Sequence, residues 1–283
     1  MDVKLHDCLT GFSNAALPWM LKQETLHCKV FAGMQHLGGD PGRLKDATLV
    51  TIHDAGKCVG TAVRTRPSAT LFVGPMTPSA VPILSSKLHA SDTTISRLQG
   101  PQDVVDRFAR EWSSLTSTSM NVELNQGCYE CVNVIPPQQA KGQMLKATAN
   151  HLEPAAHLLE AFVREIDGTT RDISSEVLVR TKRFIDNGYA YLWMSDGGEY
   201  VASTIQVRES PNGASLSLVY TPPAHRGNGY ASNLVAQVTQ CLFDEGKRLV
   251  NLFTDRSNRQ SNAIYQRIGY RQISDCRVYA QSQ

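Results

Sequence analysis

With 283 residues and 31.1 kDa, 41% hydrophobic and 19% charged, the chain is about two ordinary domains long, which excludes a small cross-linked scaffold and a disordered or fibrous protein. A net charge of +2 and a pI near 8.1 are too balanced for a dedicated nucleic-acid binder, so no nucleic-acid partner is expected. No run approaches the ~20 apolar residues of a membrane span and Met1 to Asp7 has no signal-peptide core, so a cytoplasmic protein without membrane association is expected.

Seven cysteines, Cys8, Cys28, Cys58, Cys128, Cys131, Cys241 and Cys276, are odd in number and lack framework spacing; they read as reduced thiols with no structural disulfide. Residues 47–64 read as two strands around Asp54-Ala55-Gly56-Lys57. Val104, Val105, Phe108 and Trp112 space as one helix face, and Asn125-Gln126-Gly127 reads as a hairpin turn between Met120 to Leu124 and Cys128 to Val134. The Pro- and Gln-rich stretch from Val134 to Gly142 has no apolar period and reads as a linker, which divides the chain into 1–140 and 141–283.

After the linker the pattern predicts a strand over 143–147, a helix over 154–166, and a second helix carrying Val177, Leu178, Thr181, Phe184 and Ile185 and stopped by Asn187-Gly188. A hairpin over 190–208 follows around Asp196-Gly197-Gly198-Glu199, offset by about 143 residues from the hairpin of the first half. Half the chain length is the offset a duplicated domain would produce. The remainder reads strand Leu216 to Tyr220, glycine-rich turn, helix, strand, helix, strand, an α/β sheet of mixed direction.

Chemistry concentrates in the stretch Thr221 to Ser232. A strand feeds Arg226-Gly227-Asn228-Gly229, which opens a helix with an apolar stripe of Ala231, Leu234, Val235, Val238, Cys241 and Leu242. Glycines clear the approach for a phosphate, and the free N–H groups and the dipole of the helix start favour an anion. From Arg226 to the end there are eight Arg or Lys against four Asp or Glu, which adds to that field. A tight turn is the plainer reading of two glycines, and the spacing is neither GxGxxG nor GxxxxGK[ST].

Arg226-Gly227-Asn228-Gly229-Tyr230-Ala231 resembles the Arg/Gln-x-x-Gly-x-Gly/Ala signature of the GNAT N-acetyltransferase superfamily, and the segment 258–270 (NRQSNAIYQRIGY) resembles its Asn-x6-Tyr-x4-Gly-aromatic motif. The likeness covers about residues 141–283 and implies two tandem GNAT-like lobes, each a mixed, mostly antiparallel sheet flanked by helices. The first lobe reads as a degenerate copy that walls the acceptor pocket, since Leu71-Phe72-Val73 runs into Gly74-Pro75-Met76-Thr77-Pro78 without the arginine and glycine loop.

The resemblance implies acetyl-CoA as co-substrate. Backbone at Val219, Tyr220 and Thr221 would pair with its pantetheine arm, and Arg226, Gly227, Asn228, Gly229, Tyr230, Ala231 and Ser232 would hold its pyrophosphate. Asn258 matches a cofactor-bonding position and also suits a helix N-cap. Tyr265 matches the general acid that protonates the departing thiolate; an amphipathic core residue is the alternative. The base stays unassigned: Phe253 stands where many relatives carry glutamate, no carboxylate lies in Leu216 to Tyr220, Asp255 shares the strand face of Phe253 but better suits a cap of the following helix, and His225 lies in the phosphate loop, where pairing with the cofactor explains it equally.

Neither the Cys128-x-x-Cys131 pair nor any histidine spacing suggests a metal, and Glu123 is a solvated strand residue or a wall of the substrate cleft. The expected activity is transfer of an acetyl group to the amine of a small acceptor, by a monomer or homodimer. An acyl-CoA binding regulator without turnover and an acetyltransferase of proteins or peptides are the alternatives.

Overall fold

The computed structural model describes residues 1–282. Its first ten elements are β1 (Asp2–Leu5), α1 (Leu9–Met20), α2 (Cys28–Gly38), β2 (Thr48–Asp54), β3 (Lys57–Arg64), β4 (Leu71–Val73), α3 (Ala80–Ala90), β5 (Arg97–Pro101), α4 (Gln102–Thr116) and β6 (Met120–Cys131). The next ten repeat that order: β7 (Gln143–Lys146), α5 (Leu152–Asp167), α6 (Ser174–Asp186), β8 (Ala190–Met194), β9 (Tyr200–Glu209), β10 (Gly213–Tyr220), α7 (Tyr230–Asp244), β11 (Leu249–Asp255), α8 (Arg259–Arg267) and β12 (Arg271–Gln281). The repetition of β-α-α-β-β-β-α-β-α-β is the tandem architecture. Among the described residues no helix is long and apolar enough to cross a membrane.

Two compact units form, and they are not the two halves of the sequence. The first comprises Met1–Cys128, Thr254–Asn258 and Gln272–Gln283; the second comprises Tyr129–Phe253 and Arg259–Arg271. A division at residue 140 has one crossing, whereas the chain crosses four times. The reason is the last strand: β12 pairs antiparallel with β5, from Cys276 opposite Pro101 to Ala280 opposite Arg97, so its hydrogen bonds belong to the first unit.

In the first unit the strand order is β1-β2-β3-β4-β5-β12-β6. The β2–β3 hairpin turns on Ala55 and Gly56, both at positive φ (47° and 78°), as a tight antiparallel connection demands. One core cluster packs Leu84, Leu88, Val104, Phe108 and Trp112 of α3 and α4 on the strands, and another packs Phe12, Met20 and Phe31 of α1 and α2.

Asn125-Gln126-Gly127 does not turn. β6 runs straight through it, and the two polar side chains find partners: Asn125 Oδ1 accepts from Arg277 Nε (2.7 Å) and Gln126 Oε1 accepts from Gln99 Nε2 (2.8 Å). Ladder pairing with neighbouring strands outweighs the local turn propensity of Asn and Gly.

The strand order of the second unit is β11-β10-β9-β8-β7. Side-chain alternation divides its core between the two faces. Tyr191 and Trp193 join the cluster of α7 and α8, while Ala190 and Leu192 join that of α5 and α6.

The stretch 134–142 is no free linker. Pro136 and Pro137 keep it irregular, yet Ile135 N donates to Ile268 O (3.1 Å), Lys141 O accepts from Trp193 Nε1 (3.0 Å), and Ala140 is buried. Tertiary hydrogen bonds replace the missing secondary structure and hold it against the second unit.

Candidate acyl-CoA site

The site grows out of β10. Its pairing with β11 is parallel and covers three positions only, Gly213 with Leu249, Ala214 with Val250 and Ser215 with Asn251. On its other side β10 stays paired with β9 as far as Tyr220 opposite Ser203. From Leu216 to Tyr220 the backbone edge that would face β11 therefore has no register partner there, and an extended ligand can use it as it would any open sheet edge.

A β-bulge shapes this edge. Leu218 has φ 55°, and the β9 register shifts between Ser217 and Tyr220. Ala214 and Leu216 pack with the α7 cluster; past the bulge Val219 takes that face, and Leu218 and Tyr220 turn to the α5–α6 cluster. Without the extra residue Tyr220 would lie on the opposite face.

The chain then passes through a 3-10 turn, Pro223–His225, into Gly227 and Gly229, with φ of 85° and 78°. A Cβ at Gly227 would meet nothing within 4 Å, so the loop is open there, and Gly229 is the N-cap of α7 with no side chain to cap it. The first-turn N–H groups of Tyr230, Ala231 and Ser232 are thus left as donors at the positive end of a 15-residue helix. Thr221 Oγ1 is buried at the loop start without a hydrogen-bond partner. An open, donor-rich turn beside an unsatisfied hydroxyl fits a phosphate-bearing ligand.

Side-chain hydrogen bonds support this loop, two of them from distant sequence, at Gln138 and Glu165. Asn233 Nδ2 donates to Gly229 O (3.0 Å) and to Gln138 O (2.9 Å), which ties the turn to the 134–142 stretch. Asn228 Nδ2 donates to His225 O (3.0 Å). Arg226 Nε donates to Thr221 O (2.9 Å), and its Nη2 lies 2.7 Å from both carboxylate oxygens of Glu165 on α5. Tyr220 Oη donates to the same carboxylate (3.3 Å), and burial, then the Glu165 charge, push its phenol above the ordinary range. A sequence reading has no signal for Glu165, which is 61 residues from Arg226.

Tyr265 is the buried residue of α8, 7% exposed, in the same apolar cluster against which Val219 and Tyr230 pack. Its ring neighbours Tyr129 (6.5 Å) and Tyr270 (6.1 Å), and burial raises its phenol well above the ordinary value, so the proton is firmly held at neutral pH. The motif glycine, Gly269, has φ 102°, and a Cβ there would collide with Asn133 O. Its role is close backbone approach.

The remaining candidates are placed differently. Asn258 stands directly before α8 in the segment that joins the first unit, and its N–H donates to Asp255 O (3.1 Å). Asp255 is exposed, and its Oδ1 accepts from Ser257 N and Ser257 Oγ, both 2.8 Å, which is a turn-closing role. Asp255 also lines an open cleft of about 590 Å³ in the first unit together with Glu123, Asn125, Arg256 and Arg277. Among the described residues no cluster of three or more His, Cys, Asp or Glu could hold a metal ion.

The first-unit counterpart of the loop is filled. At Gly74, just after β4, a Cβ would collide with the His27 imidazole and the Thr61 hydroxyl, and at Gly100 on β5 with Val73 O. That strand pair is packed shut where β10 and β11 open.

Residues 197–279 match the family model described as FR47-like protein. No curated protein matches the sequence. Among solved structures the chain is similar to a GNAT-family acetyltransferase from Colwellia psychrerythraea (12% identity, 100% of each chain, TM-score 0.56). It is also similar to a GCN5-related N-acetyltransferase from Sphaerobacter thermophilus (16%, 99% of this chain and 95% of that one, 0.63) and to a tandem GNAT protein from the clavulanic acid biosynthesis pathway (12%, 99% and 98%, 0.53). At these identities the structures speak to fold, and the sequence match over 197–279 speaks to family. Together they give the chain the fold of GNAT acetyltransferases and make residues 197–279 similar to the FR47-like family.

Proposed function

We propose that the protein is an acetyl-CoA dependent N-acetyltransferase acting on a small amine. One observation carries this reading: the edge of β10 left open beyond Ser215 leads directly into the uncapped, glycine-opened start of α7. Acetyl-CoA would supply an activated thioester.

The residues of this chain would do the following. Backbone at Val219, Tyr220 and Thr221 would pair with the extended arm, as in strand addition. Gly227 and Gly229 leave room for the pyrophosphate, and the N–H groups of Tyr230, Ala231 and Ser232, with Asn228 nearby, supply donors. The amine would attack the carbonyl carbon, forming a C–N bond as the C–S bond breaks, and Tyr265, protonated at neutral pH, would give its proton to the departing sulfur. No carboxylate lies on β10, so deprotonation of the amine is left to water or to a group outside that strand.

The test is release of free thiol from acetyl-CoA across amino acids, polyamines, aminoglycosides and short peptides, with a no-acceptor control for the seven protein cysteines. Turnover with one free amine class supports the reading, and turnover with peptides alone transfers it to protein acetylation. Acetyl-CoA that raises the melting temperature without turnover on any acceptor leaves a binding protein.

A further inference from the structure

The cradle arginine does not face an empty loop. Arg226 Nη2 sits 2.7 Å from both oxygens of Glu165, Nε is held by Thr221 O at 2.9 Å, and the guanidinium lies 6.0 Å from the Tyr220 ring centroid. Tyr220 is itself bonded to Glu165, and it reaches that carboxylate because the Leu218 bulge turns it to the α5–α6 face. Every element of this arrangement lies in the second unit: α5, the end of β10 and the loop before α7.

We propose that Glu165 is a latch on Arg226: it holds the guanidinium away from the anion site until a ligand with enough phosphate charge displaces it. The proposal rests on the acyl-CoA reading above. Glu165 is a positioning residue in this scheme, acting through Arg226.

The physical case is a competition for one cation. An ion pair with its side chains 39% and 42% exposed is weak, within reach of a diphosphate that offers more charge. A carboxylate at the lip also lowers the local positive potential, so a small stray anion gains little on entry. The backbone donors of α7 would then bind first, and Arg226 would move from Glu165 to phosphate as a second step. Breaking the pair is a cost that acetyl-CoA meets through its many contacts and an isolated anion does not. Glu165 thus lowers the affinity of any phosphate ligand that recruits Arg226.

The experiment is calorimetric titration of the full chain with acetyl-CoA and, separately, with inorganic pyrophosphate, for wild type, Glu165→Gln, Arg226→Gln and the double variant. Circular dichroism and melting temperature check the fold of each. Glu165→Gln should bind both probes about two- to fivefold more tightly, the worth of a half-exposed ion pair, with a steeper loss of affinity in salt. The same substitution should change nothing on the Arg226→Gln background, because the effect runs through Arg226.

Weaker or unchanged binding by folded Glu165→Gln overturns the latch, since a merely structural Glu165 would cost affinity when removed. A gain that persists without Arg226 overturns it too, and leaves a general charge effect. If Glu165→Gln fails to fold, Glu165→Asp serves: its shorter arm should loosen the pair and also tighten binding, and unchanged or weaker binding overturns the proposal. Wild type that binds acetyl-CoA while the variants behave otherwise than stated refutes the latch alone. Wild type that binds neither probe refutes the acyl-CoA reading, and the latch with it.

Discussion

Ser215 Oγ donates to Asn251 Oδ1 at 2.8 Å, and these two residues are also the last register pair between β10 and β11. Both are buried, 1% and 0% exposed. The point where the two strands part is therefore marked by a buried polar contact in an otherwise apolar region, and a hydrogen bond there has no water to compete with it.

Removing one partner should expose that dependence. Ser215→Ala leaves Asn251 Oδ1 buried without its donor, and a stability loss of about 1–3 kcal/mol is expected in urea unfolding. Acetyl-CoA affinity should fall as well, because the position of the open edge shifts. A variant as stable as wild type would show that this contact does not hold the vertex.

Tyr265→Phe separates chemistry from binding. The hydroxyl goes and the ring packing against Tyr129 and Tyr270 stays, so acetyl-CoA affinity should be kept while kcat drops by about 10²–10⁴, the usual worth of a placed general acid. Full activity would return Tyr265 to a packing role.

Gly229 and Gly246 test the loop against an internal control. Both have positive φ, 78° and 95°, at opposite ends of α7. A side chain at either costs about 1–2 kcal/mol of backbone strain. Only Gly229→Val should also weaken acetyl-CoA, by about tenfold, while Gly246→Val lowers the melting temperature and leaves affinity alone. Equal affinity losses would count against the cradle.

His27 predicts an acid-sensitive first unit. Its imidazole is fully buried against Gly74, Nδ1 lies 3.0 Å from Gln23 O, and burial lowers its pKa to about 4 from an ordinary 6.5. The folded state keeps it neutral while the unfolded chain takes up a proton below 6.5. Stability should therefore be full above pH 6.5 and fall as the pH drops toward 4, by about 3 kcal/mol from this group. Urea midpoints at pH 7, 5.5 and 4.5 measure it, and His27→Gln should flatten the slope. An equal slope in the variant would assign the effect to other groups.

Asp106 tests the docking of the last strand. It accepts from Arg277 Nη1 (2.6 Å) and from Tyr279 Oη (2.9 Å), both on β12. Asp106→Ala should cost about 1–3 kcal/mol and speed amide exchange in β12 and β5 before the second unit loosens. Exchange that rises first in β9 and β10 would contradict the placement of β12 in the first unit.

What the sequence by itself determined is what depends on near neighbours. Apolar periodicity placed α4, α5, α6 and α7, turn residues placed the Ala55-Gly56 connection and the Asn187-Gly188 end of α6, and the hairpin offset pointed to a duplication whose element order the structure then gave. The Arg226 to Ala231 loop was legible because its chemistry, glycines before a helix start, lies within six residues.

Only the tertiary structure decided the rest, because each remaining feature is a competition settled between distant groups. Asn125-Gln126-Gly127 has the local chemistry of a turn, yet strand pairing and bonds to Gln99 and Arg277 keep it extended. The 134–142 stretch lacks a period, yet Asn233, Trp193 and Ile268 supply its hydrogen bonds. A single bulged residue, Leu218, moves Tyr220 to the face of Glu165, and β12 finds its ladder on β5, far away in sequence. Such contacts are selected by burial and by the need to satisfy every buried polar group, conditions that exist only once the chain has folded.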